Sequence, residues 1–331
     1  MDHLLNYLEF FAKVITVAAA VLMVLSAQSK KKPEIYSITS ESLNEKYRHD
    51  KLKVAKSILG KNYKSLAKIE SQKQKKEKLN NLERAFLIDF KGDMHAKSIK
   101  QLQKQITTLL QLANASDEII IKIHSPGGVV NGYGLGASIL EQIRNHGIKL
   151  TVCVDEVAAS GGYMMAAVAD QILAAPFAYI GSIGVALEAM NFNQLLKNHH
   201  IGYEQITAGK YKRTLSTFGE NTPQARDKAK QDIEKIHGQF KSLIQKYRPL
   251  IDIESAATGE VWLGSVAYQK GLVDRICTSD EYIFELLQIK NVFHIKCHRP
   301  IKLSEKLASG IGTVIDGLLH KLKSESKPRY E

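Results

Sequence analysis

From residue 85 onward the chain alternates short apolar runs with amphipathic stretches, and that alternation predicts its elements. Residues 85–90 and 118–123 are nearly continuous apolar runs, as strands covered on both faces require. Residues 149–154 and 171–174 read the same way. Residues 96–112 and 132–145 carry apolar side chains at helical spacing, the second closed by Gly147. A further helix is expected from about Ser160 to Asp170. Strands alternating with helices imply an α/β domain with a largely parallel core. Residues 221–247 read as an amphipathic surface helix, and residues 259–274 as a turn, a short helix and a turn. The tail, 300–331, holds an amphipathic stretch near 304–322.

The first thirty residues differ. Residues 14–27, VITVAAAVLMVLSA, carry no charge. Extended back to Leu8 the run reaches about 20 residues, roughly 30 Å of helix, which matches a bilayer core. Glu9 and Lys13 fall one turn apart and can pair. An uncleaved anchor is favoured over a signal peptide, because the segment opens with Asp2 and Glu9 and Leu25-Ser26-Ala27 is a poor cleavage site. A buried core helix is the third and weakest reading, because Lys30-Lys31-Lys32 ends the run so abruptly.

Charge then sharpens the division. The net charge is +12, and residues 30–84 hold sixteen Lys and Arg against seven Asp and Glu, hence nine of the twelve. Next to an apolar segment, such a basic stretch points to an anionic membrane surface rather than nucleic acid. Its scattered apolar residues sit at helical spacing, so 33–84 reads as a charged helical spacer. The expected organisation is a membrane anchor (1–32), the spacer (33–84), a catalytic core (85–280) and a C-terminal tail (281–331). The three cysteines, Cys153, Cys277 and Cys297, lie far apart without a CxxC, which argues against a zinc site or a disulfide framework.

Two glycine-rich turns follow buried strands, where α/β folds build their sites. In Ser125-Pro126-Gly127-Gly128, paired glycines let the backbone turn sharply and leave N–H groups free to face a ligand. In Ala159-Ser160-Gly161-Gly162, a serine stands at a strand-to-helix junction, where amides are unpaired and the helix dipole favours negative charge. Together the turns offer a nucleophile and oxyanion donors: Gly127 or Gly128 on one side, the N–H of Ser160 or Gly161 on the other. A serine needs a base. His124 is the histidine nearest a glycine-rich turn. The other choice is a lysine, of which only about one in two thousand is neutral at pH 7 without perturbation. Gly209-Lys210-Tyr211-Lys212-Arg213 clusters cations that would depress one another's pKa, although such a cluster is ordinarily a solvated loop.

Five segments jointly resemble the signal peptide peptidase A family of serine–lysine peptidases. They are SPGG at 125–128, VDEVAASGGYMMA at 154–166, APFAYIGSIGV at 175–185, AGKYKR at 208–213 and GEVWLG…GLVD at 259–274. They span about 150 residues in family order, and the nearest likeness is to a branch with an N-terminal membrane segment and a charged spacer. The resemblance implies a Clp-peptidase- and crotonase-like α/β spiral of ββα units. It makes Ser160 the nucleophile and Lys212 the general base, with Lys210 the competing choice. It makes Ser182 a partner of the catalytic lysine, and Gly128, then Gly127, the oxyanion loop, supported by Gly161. His124 departs from the family, where Asn is frequent. Rings of subunits are implied, as are a peptide or protein substrate, a single-pass bacterial inner-membrane location, and no cofactor, metal or nucleic acid. The Lys-rich flank places the core in the cytoplasm by the positive-inside rule, whereas many anchored peptidases work outside, so the side stays open. Small residues Ala158, Ala159, Ala174 and Ala175 fit hydrophobic, extended substrates.

Three rivals share parts of this pattern. A crotonase-like acyl-CoA enzyme would not need Ser160. A membrane scaffold would keep the fold without the chemistry. A cysteine peptidase through Cys153 would place its nucleophile inside a buried strand.

Overall fold

The computed structural model describes residues 6–7, 9–18, 36–79 and 83–298. The chain divides into two units, one spanning Ile38–Lys296 and the other Met1–Ser37 with Cys297–Glu331. In the smaller unit, residues 9–18 form helix α1, where Lys13 donates to Glu9 at 2.6 Å, the pair read from their spacing. Most of the expected anchor and the whole stretch 304–322 lie outside the described residues. Among the described residues no helix is long and apolar enough to cross a membrane.

The larger unit is built on a seven-stranded sheet ordered β1-β10-β2-β3-β4-β6-β9. Its strands are β1 (Ser37–Ser42), β2 (Arg84–Lys91), β3 (Glu118–His124), β4 (Lys149–Val154), β6 (Gln171–Ala174), β9 (Arg275–Ile276) and β10 (Asn291–His298). From β10 through β9 every pairing is parallel. The isoleucine run of β3 shows why the sheet is apolar throughout. Ile119, Ile121 and Ile123 point into the main core with α4 (Ile99–Leu109), α5 (Val130–Asn145) and α6 (Gly161–Ala167). Ile120 faces the other way, toward Leu87, Cys153 and Leu173, under Tyr282 and Ile283 of α11 (Ser279–Leu286) and Leu43. Helices on both faces leave no solvent side, so strict alternation of apolar and polar residues is lost.

A second, three-stranded sheet holds β5 (Val157–Ala159), β7 (Tyr179–Gly181) and β8 (Val261–Leu263). β5 and β7 are parallel, and β8 runs antiparallel to β7. Residues 261–263 were expected within a turn; they are a strand because β7 pairs with them across some eighty residues of chain, a long-range contact with no local signature. The expected helix 221–247 is α8 (Pro223–Tyr247), capped by the Thr222 hydroxyl accepting from Ala225 N–H. The spacer contains α2 (Leu43–Leu59) and α3 (Tyr63–Leu79), but also β1, a sheet strand. The sheet likewise runs past residue 280, since β10 lies between β1 and β2. The other helices are α7 (Asn193–Asn198), α9 (Ile253–Ala256) and α10 (Gly264–Gln269).

Candidate active site

Ser160 occupies the single residue between β5 and α6, where extended chain becomes helix at once. Its backbone is left-handed, φ 51° and ψ −119°. For a residue other than glycine this costs about 1–3 kcal/mol and persists only where neighbours enforce it. Here they do. The Ser160 N–H donates to Gly181 O at 2.8 Å, and its carbonyl accepts from Met164 N–H at 2.9 Å in the first turn of α6. The small sheet is what reaches Gly181: Ala159 pairs with Gly181 at the end of β5 and β7. The next residue after each strand is therefore a serine, and Ser182 is left-handed too, at φ 50°, with its N–H on Glu260 O.

The SPGG turn is stitched to the same strand. Ser125 N–H donates to Val157 O at 2.9 Å, and Ala159 N–H donates to Ser125 O at 3.0 Å. Gly127, at φ +93°, lies so close to the nucleophile turn that a Cβ there would come within 2.7 Å of Ser160 Cβ and 2.8 Å of Gly161 N. Only glycine meets both demands. Gly128 is pressed against Met94, where a Cβ would lie 2.3 Å from the carbonyl oxygen.

Of the four amides expected to offer oxyanion donors, two are occupied. Ser160 N–H is on Gly181, and Gly127 N–H donates to Ser125 Oγ at 3.1 Å. Gly128 and Gly161 keep amides with no acceptor among the described residues. The Ser125 hydroxyl in turn donates to Tyr133 OH at 2.7 Å, and Tyr133 OH donates to Asp93 O at 2.9 Å. Tyr133 is fully buried, and its ring lies where a side chain on Gly161 would go. Burial raises its phenol above the ordinary value despite the Ser125 hydrogen bond. Tyr133 thus braces both glycine turns from beneath. Sequence reading missed it, because a tyrosine on an amphipathic helix looks like any core residue; only its position eight residues past Ser125 was a hint.

The other expected residues lie apart from this cluster or beside it. His124 Nδ1 is 3.5 Å from Glu156 at the surface. Cys153 is buried in β4, and burial drives its thiol far above the normal range, so it is unsuited to be a nucleophile. Lys212 is exposed on a turn, its N–H on Gly209 O at 3.1 Å, and its amine has no hydrogen-bond or ion-pair partner among the described residues. Lys210 lies 5.2 Å from the Tyr211 ring centroid, as does Lys228. The described residues show no cluster able to hold a metal ion.

A strained serine on a strand-to-helix turn, with a glycine loop against its Cβ and free amides beside it, sets a hydroxyl next to hydrogen-bond donors of the kind that can hold a developing oxyanion. Comparison with known families places the chain more narrowly. The model of Peptidase family S49 matches residues 142–292, and that of the Peptidase family S49 N-terminal region matches residues 2–140. The chain belongs to peptidase family S49. It is 42% identical over 318 residues to the probable protease SohB of Buchnera aphidicola subsp. Acyrthosiphon pisum, covering 94% of this chain and 95% of that one. Its likeness to the probable protease SohB of Buchnera aphidicola subsp. Schlechtendalia chinensis is 41% over 302 residues, 86% and 99% of the two chains. The Haemophilus influenzae protein of the same description is 42% identical over 240 residues, 72% of this chain and 68% of that one.

Proposed function

We propose that this chain is a membrane-anchored serine endopeptidase in which Ser160 is the nucleophile and Lys212, from a neighbouring subunit, the general base. Neutral Lys212 takes the Ser160 proton as Oγ attacks a peptide carbonyl, and the developing oxyanion is held by the amides of Gly128 and Gly161. Lys212 then protonates the leaving amine, and water hydrolyses the acyl-enzyme. Ser182 would hydrogen-bond the lysine. The observation that carries the reading is the left-handed Ser160 backbone, held against Gly127 at the mouth of two acceptor-free amides.

The segment between β7 and α8 supports the second subunit. It carries Lys212 together with exposed Met190 (74%) and Ile206 (96%), apolar side chains that a second subunit could cover. Covering it with another copy would desolvate the lysine and favour its neutral form. The ββα-spiral assignment rests on the family resemblance and the parallel-rich sheet. The anchor rests on the uncharged run 14–27 and on α1, whose Phe10, Phe11 and Ile15 are all exposed. The small residues about the site favour hydrophobic, extended peptides at a bacterial inner membrane.

The test is casein or peptide hydrolysis by the detergent-solubilised full chain beside Ser160→Ala and Lys212→Ala. Both variants should be folded, by circular dichroism, and inactive. A Ser160→Ala chain that still hydrolyses peptide would refute the mechanism, and a chain that turns over an acyl-CoA thioester equally well with and without Ser160 would be the acyl-CoA enzyme instead.

A further inference from the structure

Between Leu52 and Ile69 the sequence holds five lysines and no aspartate or glutamate. These residues are the tip of a helical hairpin: the end of α2, the turn at 60–62 and the start of α3. The hairpin's internal ion pairing sits below that tip. Glu70 is buried, 2.5 Å from Lys51 Nζ and 3.7 Å from Arg48 Nε. Lys53, Lys56, Lys64 and Lys68 are exposed and have no carboxylate partner among the described residues. Apolar side chains stand among them: Ile58 is 73% exposed, and Val54, Leu59 and Ile69 are exposed as well. Val54 and Ile58 lie one turn apart on α2, and Lys64 and Lys68 one turn apart on α3.

We propose that this hairpin tip docks on an anionic phospholipid surface, its lysines on headgroup phosphates and Val54, Ile58 and Leu59 entering the headgroup–acyl boundary. The charge requires a polyanion, and a stretch free of carboxylates meets one without repulsion. The exposed apolar groups decide which polyanion. A nucleic-acid backbone would use the lysines and leave the apolar side chains in water, whereas an interface accepts both. The surface is distinct from the site of Ser160, and the docking does not depend on how the extreme N-terminus meets the membrane.

The experiment is amide hydrogen exchange over residues 51–69 of the full chain, with vesicles of phosphatidylcholine alone or with about 30% phosphatidylglycerol. Exchange should slow roughly tenfold on the anionic vesicles only, and the protection should vanish when Lys53, Lys56, Lys64 and Lys68 are each changed to Glu. Ile58→Ser with Leu59→Ser should remove part of it, which covers the case in which the charge-reversed chain does not fold. Hydrolysis of a soluble peptide should be unchanged in both variants. Equal exchange on the two vesicle types overturns the proposal, as does protection by double-stranded DNA but not by anionic vesicles. A chain that sediments with both vesicle types and gains no protection keeps the anchor and loses the docking surface.

Discussion

Around Ser160 the chain has left little to chance: the backbone amide, the carbonyl, the facing glycine and the tyrosine beneath are held by partners from β7, α6, the SPGG turn and α5. Around Lys212 it has fixed almost nothing. Between β7 and α8 the described chain forms only the short α7, and many of its apolar side chains, Met190 and Ile206 among them, face solvent. One half of the proposed dyad is thus held in place within a single chain, while the other lies on an exposed surface. The contrast teaches that strain and shape can be built locally, whereas neutralising an ammonium group needs the removal of water, which a lone exposed turn cannot provide.

Substitutions can break that contrast in descending order of effect. Lys212→Ala should lower kcat/KM by roughly 10⁴-fold, as loss of a catalytic base does, while Lys210→Ala should change it less than about threefold; the reverse ranking would move the base. Gly127→Ala forces a methyl into Ser160 Cβ from a left-handed backbone, and should cost about 10²–10³-fold in kcat with a smaller change in KM. Tyr133→Phe removes the hydroxyl that links Ser125 to Asp93. It should cost about 1–3 kcal/mol in denaturant unfolding and reduce kcat roughly tenfold; unchanged kinetics would show that the brace is structural only.

The smallest effect on activity belongs to the far end of the sheet. Asp117 is buried, and burial alone would raise its carboxyl, but the Arg84 guanidinium, the Asn114 and Arg84 amides and the Arg84 charge together leave it lowered. A carboxylate depressed in the fold stabilises above its unfolded pKa of about 3.9, and that stability is lost as pH falls through the depressed value. Asp117→Asn should therefore cost about 2–4 kcal/mol near pH 7 and progressively less in acid, with kcat barely altered. A stability loss independent of pH would assign the effect to packing instead.

The large sheet was legible because β2, β3, β4 and β6 are buried runs bounded by turns, and the sharp strand-to-helix corner at Ser160 because paired glycines follow a short apolar run. The small sheet was not. β5, β7 and β8 are three residues each, too short for a period, and their partners lie far along the chain. Without them the occupied amide of Ser160 could not be told from the free one of Gly161. β1 and β10 escaped for a related reason: SITSES looks like polar spacer, and NVFHIKCH joins β2 across some two hundred residues. Lys212 is proposed on likeness to a family, since the cation cluster around it is by itself an ordinary solvated loop.

Mixing two inactive chains tests the central claim most directly. Ser160→Ala and Lys212→Ala proteins, unfolded and refolded together or co-expressed, would place an intact serine beside an intact lysine at about a quarter of randomly formed interfaces. The account predicts peptide hydrolysis near that fraction of the wild-type rate, falling as dilution separates the subunits. A mixture that assembles yet stays as inactive as either parent would contradict a lysine donated by a second subunit.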